Sequence, residues 1–168
     1  MKNNRALVLF LIIFAVSYPL EQLFAQDVTT VFFVRHAEKV DSSSDPELSE
    51  EGKTRVESLT AMLEKASIGA VYSTDYIRTR ETCKPTAELH GVDLKLYDNN
   101  QRSQLNDMVN EYRGETILVC GHSNSVPRSA NHLLGREVFE DFDEKDYGNI
   151  IIVTIPTTGE PTYTLLRY

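Results

Sequence analysis

The chain has 168 residues, with 17 Lys and Arg against 25 Asp and Glu, a net charge of −8 and two cysteines. This length suits one domain, and an acidic surface repels nucleic acid and anionic lipid, so neither is expected as a partner. Any anion site must therefore be local, built from a few converging cations.

The first 25 residues read apart from the rest. Lys2 and Arg5 precede an unbroken apolar run over 6–16, and Ser17 and Pro19 break it before "EQLFAQD". A basic start, a short apolar run and a small residue at the exit predict a signal peptide cut after Ala25. A bilayer span takes about 20 apolar residues, so stable membrane insertion of the mature chain is not expected. The expected product is an exported protein, periplasmic or secreted. It loses Lys2, Arg5 and Glu21, which leaves 15 basic and 24 acidic residues, a net charge of −9.

Residues 26–168 alternate between two periodicities. An apolar, β-branched strand over 28–34 leads through the polar loop "DSSSDPE" to a helix over 48–64, with Ser49 as its N-cap. A short strand over 70–73, a helix over 77–90 closed by Gly91 and a strand over 94–97 follow. Next come a helix over 105–112, an apolar strand over 116–120 and a helix over 123–134 ending at Gly135. "NIIIVTIP", "TTGE" and "PTYTLLRY" read as an antiparallel hairpin. Alternation of this kind predicts a three-layer α/β/α sandwich with a mostly parallel sheet and an antiparallel edge hairpin at the C-terminus. Cys83 and Cys120 sit in apolar segments and are read as two buried thiols in preference to a bridge. No CxxC, HExxH or His-rich tract is present, so no metal and no other cofactor is expected.

In an open parallel sheet, ligands sit beyond the carboxyl ends of the strands. There the sequence places Arg35 and His36, then Ser73, Thr74 and Arg78, then Tyr97 and Asp98, then Gly121, His122 and Ser123. Two guanidinium forks can hold a tetrahedral dianion by charge-assisted hydrogen bonds, with helix N-termini after the first, second and fourth strands adding backbone donors. A neutral imidazole in line with phosphorus can attack it, and a second, protonated one can stabilise the equatorial oxygens.

The stretches "VRHAEK", "STDYIRTRET" and "LVCGHSNSVP" resemble, in order, three motifs of the histidine phosphatase superfamily, the phosphoglycerate-mutase-like fold. "LSEEGKTR" and "YGNIIIV" also sit where that family starts its first helix and a late strand. The resemblance implies that His36 is a nucleophile that becomes phosphohistidine, and that Arg35, Arg78 and His122 complete the phosphate pocket. Asp98, after the third strand, is the candidate general acid, though it reads equally as a turn residue before Asn99 and Asn100. Ser123, beside His122, and Ser42, in the loop where mutases often carry an Asn on the phosphate, are candidate substrate contacts. Ala37 replaces the motif's glycine. The absence of a long insertion between Asp98 and Leu118 predicts an open pocket that water can enter, which suits a phosphatase acting on a small phosphorylated substrate better than a mutase.

Two other readings stay open. The same pocket could bind a phosphorylated ligand without turnover. Alternatively, "GHSNS" half resembles the G-x-S-x-G elbow of serine hydrolases, with Ser123 as nucleophile, but ends in Ser125 where that motif has glycine. His90 and His132 read as structural residues. Residues 137–146, with six carboxylates, read as a solvated acidic loop. Oligomeric state is not legible.

Overall fold

The structure, a computed structural model, describes residues 28–168. The predicted signal peptide lies outside these residues. Ten elements follow in the order strand β1 (Val28–Arg35), helix α1 (Glu50–Met62), β2 (Ile68–Ser73), α2 (Ile77–His90), β3 (Leu94–Leu96), α3 (Ser103–Glu111), β4 (Thr116–Gly121), α4 (Ser125–Leu134), β5 (Asn149–Pro156) and β6 (Thr162–Arg167). Ser49 accepts from Gly52 N as the N-cap of α1, and Gly91 and Gly135 end α2 and α4 in the left-handed conformation that costs glycine little.

One six-stranded sheet has the order β3-β2-β4-β1-β5-β6. The first four of these strands run parallel, while β5 is antiparallel to β1 and β6 to β5. Alternate residues of β1 enter opposite layers of core. Val31 and Phe33 join Leu105, Met108, Val126 and Leu134 beneath α3 and α4, whereas Val34 joins Leu59, Leu63 and Ala87 beneath α1 and α2. The fold is the predicted three-layer sandwich, with the hairpin at one edge.

Register decides where the strands end. Arg35 pairs with Gly121, and Cys120 pairs with both Val34 and Ser73. His36, Thr74 and His122 therefore leave the sheet on one rim. The same packing lays α2 over β4, so that Cys83 and Cys120 form a disulfide with Cα atoms 6.4 Å apart. This corrects the reading of two free thiols. Spacing in sequence does not reveal which helix lies over which strand.

The segment after His36 is anchored from below. Glu38 takes three hydrogen bonds from the Arg55 guanidinium at 2.6–2.9 Å, and Arg55 also donates to Tyr168 O at 2.9 Å. Ala37 N donates to Thr82 Oγ1 at 3.0 Å, and Ser49 N to Glu38 O at 2.9 Å. Gly52 makes this approach possible: a Cβ there would stand 2.4 Å from Glu38 O. The neighbour is backbone, so α1 or the loop bearing His36 would have to shift. Gly52→Ala is expected to lower stability by about 1–3 kcal/mol in a denaturant titration, the usual cost of overpacking, and to weaken oxyanion binding at the rim.

Candidate active site

His36 is buried, with 4% of its surface exposed. Its Nδ1 lies 2.8 Å from Ala37 O. A carbonyl only accepts, so Nδ1 carries the hydrogen and Nε2 keeps a free lone pair. Burial, and then the positive charges of Arg35, His122 and Arg78, hold the His36 pKa down at about 3 against the one raising influence of Ala37 O. At neutral pH this is an unprotonated imidazole with an unused lone pair.

The His122 ring stands edge-on to it, with centroids 5.5 Å apart. Its Nε2 is 3.0 Å from Thr74 Oγ1. Thr79 gives its single hydroxyl hydrogen to backbone carbonyls, so the Thr74–Thr79 contact at 3.0 Å uses the Thr74 hydrogen, and His122 Nε2 must donate to Thr74. Burial first, then Arg78 and Arg35, lowers the His122 pKa to about 4, while Glu144 opposes the shift. This lowering runs against the expectation of a protonated second imidazole. Four cation-capable groups share a small space there, and the two that can lose a proton do so.

The arginines are held by their outer nitrogens. Arg35 donates to Asp143 O at 2.9 Å, Asp146 O at 3.1 Å and Glu144 Oε2 at 3.0 Å, with its Cζ 4.2 Å from the centre of the Tyr147 ring. Arg78 reaches Ser44 O at 3.4 Å and Asp45 Oδ1 at 3.5 Å and lies over Tyr76. Each keeps its Nε buried and unpartnered. Among the described residues these are the two buried side-chain nitrogen or oxygen atoms without a partner. A buried N–H normally has an acceptor, so these two, close to two neutral imidazoles, are donors with hydrogen-bonding capacity left over.

A cleft of about 350 Å³ is bounded by His36, Lys39, Arg78, His122, Ser123 and Glu144, while Arg35 is buried and does not line it. Not every expected residue reaches it. The Asp98 carboxylate accepts from Asn100 N, Asn100 Nδ2 and Gln101 Nε2 at 3.0 Å each, as a turn organiser, and does not line the cleft. Ser42 is exposed on its loop and does not line it either. Ser123 does line it, but its hydroxyl donates to Glu144 Oε1 at 2.8 Å and meets no imidazole, which leaves a serine nucleophile without a base. One of the helix N-termini expected to face the anion is already satisfied, since Ile77 N donates to Asp45 Oδ1 at 2.8 Å. The final serine of "GHSNS" holds the loop before α4, its Oγ accepting from His122 N at 2.9 Å.

The acidic loop is the main surprise. Residues 137–146 do not simply lie in solvent: Glu144 and Asp141 line the cleft, and Phe142 N is tied to Ser123 O at 2.9 Å. The Glu144 carboxylate bridges Ser123 and Arg35, both expected phosphate ligands, and these contacts lower its pKa. Sequence pattern shows only that the loop is acidic. His90 and His132 bond Leu63 O and Asn106 Oδ1 away from the cleft, as structural residues would. No group of three or more His, Cys, Asp or Glu among the described residues could hold a metal ion.

The depressed imidazoles make stability depend on pH. An unfolded imidazole takes its proton near pH 6.5, a buried one only near 3 or 4, so the unfolded chain binds more protons through that window and stability is lost as pH falls into it. Going from about pH 7 to about 5.5 should cost the ligand-free protein about 2 kcal/mol in chemical denaturation. Saturating vanadate should flatten the slope by drawing a proton onto His122, visible as a raised His122 pKa by NMR.

A family model described as histidine phosphatase superfamily (branch 1) matches residues 31–99, which include Arg35, His36 and Arg78. No curated protein matches the chain. Among solved structures, the protein histidine phosphatase SixA complexed with tungstate is 20% identical, with a TM-score of 0.68, covering 82% of this chain and 96% of that one. Phosphoserine phosphatase from Entamoeba histolytica, in complex with 3-phosphoglyceric acid, is 17% identical, with a TM-score of 0.66 and 83% and 97% covered. A mycobacterial glucosyl-3-phosphoglycerate phosphatase is 12% identical, with a TM-score of 0.67 and 84% and 98% covered. At these identities the likeness is one of fold. The chain thus matches the histidine phosphatase superfamily (branch 1) model over residues 31–99 and shares its fold with these solved structures.

Proposed function

We propose that this protein is an exported, metal-independent phosphatase that hydrolyses phosphomonoesters, or phosphohistidine, through a phosphohistidine on His36. One observation carries the reading: two orphaned guanidine Nε–H groups flank an imidazole held neutral, with its lone pair unused. Structures of similar fold that are named as phosphatases support it. The leader-like segment supports export, and the Cys83–Cys120 disulfide suits an oxidising compartment.

In the first step His36 Nε2 attacks phosphorus. The P–N bond forms as the P–O bond to the leaving group breaks, and Arg35, Arg78 and Ser123 take the charge on the equatorial oxygens. His122 gains a proton as the dianion enters and donates to the same oxygens. Water then attacks the phosphohistidine: its oxygen bonds to phosphorus as the P–N bond breaks, one of its protons passes to solvent, and phosphate leaves. Asp98 is ionised and held in its turn, so the leaving oxygen departs as an anion and takes its proton from solvent. Leaving groups of low basicity should therefore react fastest.

Glu144 supports a gating role. It occupies Arg35 and Ser123 in the empty pocket, with 74% of its side chain exposed and so free to swing outward. The alternative, a phosphate-binding module without turnover, draws on the same distance between Asp98 and the cleft.

His36→Ala should lower turnover of p-nitrophenyl phosphate by about a thousandfold or more, since the covalent route is lost. Acid-labile phosphate should be trapped on His36 of the wild type, with EDTA making no difference. Wild-type rates in the variant would end the assignment, and tight vanadate binding without turnover would favour the binding module. Glu144→Gln should tighten vanadate inhibition about fivefold, or about 1 kcal/mol, by removing a competing anion.

A further inference from the structure

Beside the catalytic cleft lies a second polar cavity of about 190 Å³. Asn124 lines both, and the wall between them is an ion pair. Asp141, on the cleft side, accepts two hydrogen bonds from Arg128, on the cavity side, at 2.9 and 2.5 Å. The cavity's other walls are Asn99, Asn100 and Arg102 from the turn after β3, and Ser125 and Ser129 from α4.

Two groups line this cavity without a partner among the described residues. Ser129 is 6% exposed, and its hydroxyl makes no hydrogen bond. The guanidinium of Arg102, an exposed residue, makes no ion pair or hydrogen bond either. Arg102 and Asn124 are the N-cap positions of α3 and α4, and neither helix receives a side-chain cap. Two positive helix ends and two guanidinium groups thus face one cavity. No aromatic or aliphatic side chain lines it. The Asp98 carboxylate, which stays out of the cleft, orders this wall: its bonds to Asn100 and Gln101 shape the turn that carries Asn99, Asn100 and Arg102.

We propose that this cavity is the leaving-group subsite of the phosphatase, and that it takes a small, non-aromatic leaving group carrying a second anion, a carboxylate or phosphate, flanked by hydroxyls. The proposal rests on the reading of the cleft as a phosphate site. The phosphoryl group sits against His36, and the second anion reaches Arg102 past Asn124. Ser129 and the asparagine amides supply the partners for hydroxyls. Asp98 is then a positioning residue that acts through this turn.

Calorimetry with 3-phosphoglycerate, glycerol 2-phosphate and inorganic phosphate tests the subsite independently of turnover. 3-Phosphoglycerate should bind about tenfold more tightly than the other two. Arg102→Ala, and separately Ser129→Leu, which fills the cavity, should each remove that advantage while leaving the affinity for inorganic phosphate unchanged. Asp98→Asn should reduce the advantage in the same direction. Equal affinities for the three ligands in the wild type would overturn the proposal, as would an advantage that survives both Arg102→Ala and Ser129→Leu. If no ester is hydrolysed but the affinity pattern holds, the catalytic reading fails and the subsite stands. If inorganic phosphate itself does not bind, the cleft reading falls and takes the subsite with it.

Discussion

Everything at the rim follows from burying two guanidinium groups at neighbouring strand ends. The Arg35 side chain is 1% exposed and that of Arg78 is 13% exposed. Buried cations need compensation, and the chain supplies part of it by folding two loops inward. Residues 41–47 bring Asp45 to Arg78, and the loop before β5 brings Glu144 and two carbonyls to Arg35. The compensation stops short, because each arginine keeps one N–H without an acceptor. That deficit leaves two N–H donors for an acceptor at one rim of an acidic protein.

Burial and the same field set the state of the imidazoles. Desolvation first, and then the two fixed cations, makes protonating either ring unfavourable, so both are held neutral. The scaffold keeps that field in register: Arg55 holds Glu38, Thr82 holds Ala37, and Gly52 lets α1 close beneath them. A shift of the His36 loop would misalign attack even with every charge retained.

The two cavities divide the labour at one rim. In the cleft, cations face a nucleophile. In its neighbour, cations face amides and hydroxyls. Between them runs the pair of Arg128 and Asp141. The described residues carry no long insertion over the site, so the short turn after β3 and the first turn of α4 form the second wall instead. Residues 99–102 lie close in sequence to a strand end and so sit close to the cleft.

Much of this was legible in the order of residues. Periodicity marks every strand and helix, Ser49, Gly91 and Gly135 mark helix ends, and the rule that ligands sit past strand ends picks out Arg35, His36, Arg78 and His122. These are local properties, and local chemistry writes them into short stretches. What pattern alone left undecided concerns contacts between distant segments. Whether Asp98 faces the cleft or its own turn depends on whether Asn100 and Gln101 capture its oxygens first. Whether the acidic loop is solvated depends on Arg35 reaching across 109 positions to Glu144. Whether Cys83 meets Cys120 depends on α2 lying over β4. The sequence by itself determined the layers, the rim and the four groups that converge on it, because strand and helix periodicity and strand-end position are short-range. Only the tertiary structure decided which carboxylates accompany them, since ion pairing between loops follows from three-dimensional proximity, which no spacing along the chain encodes.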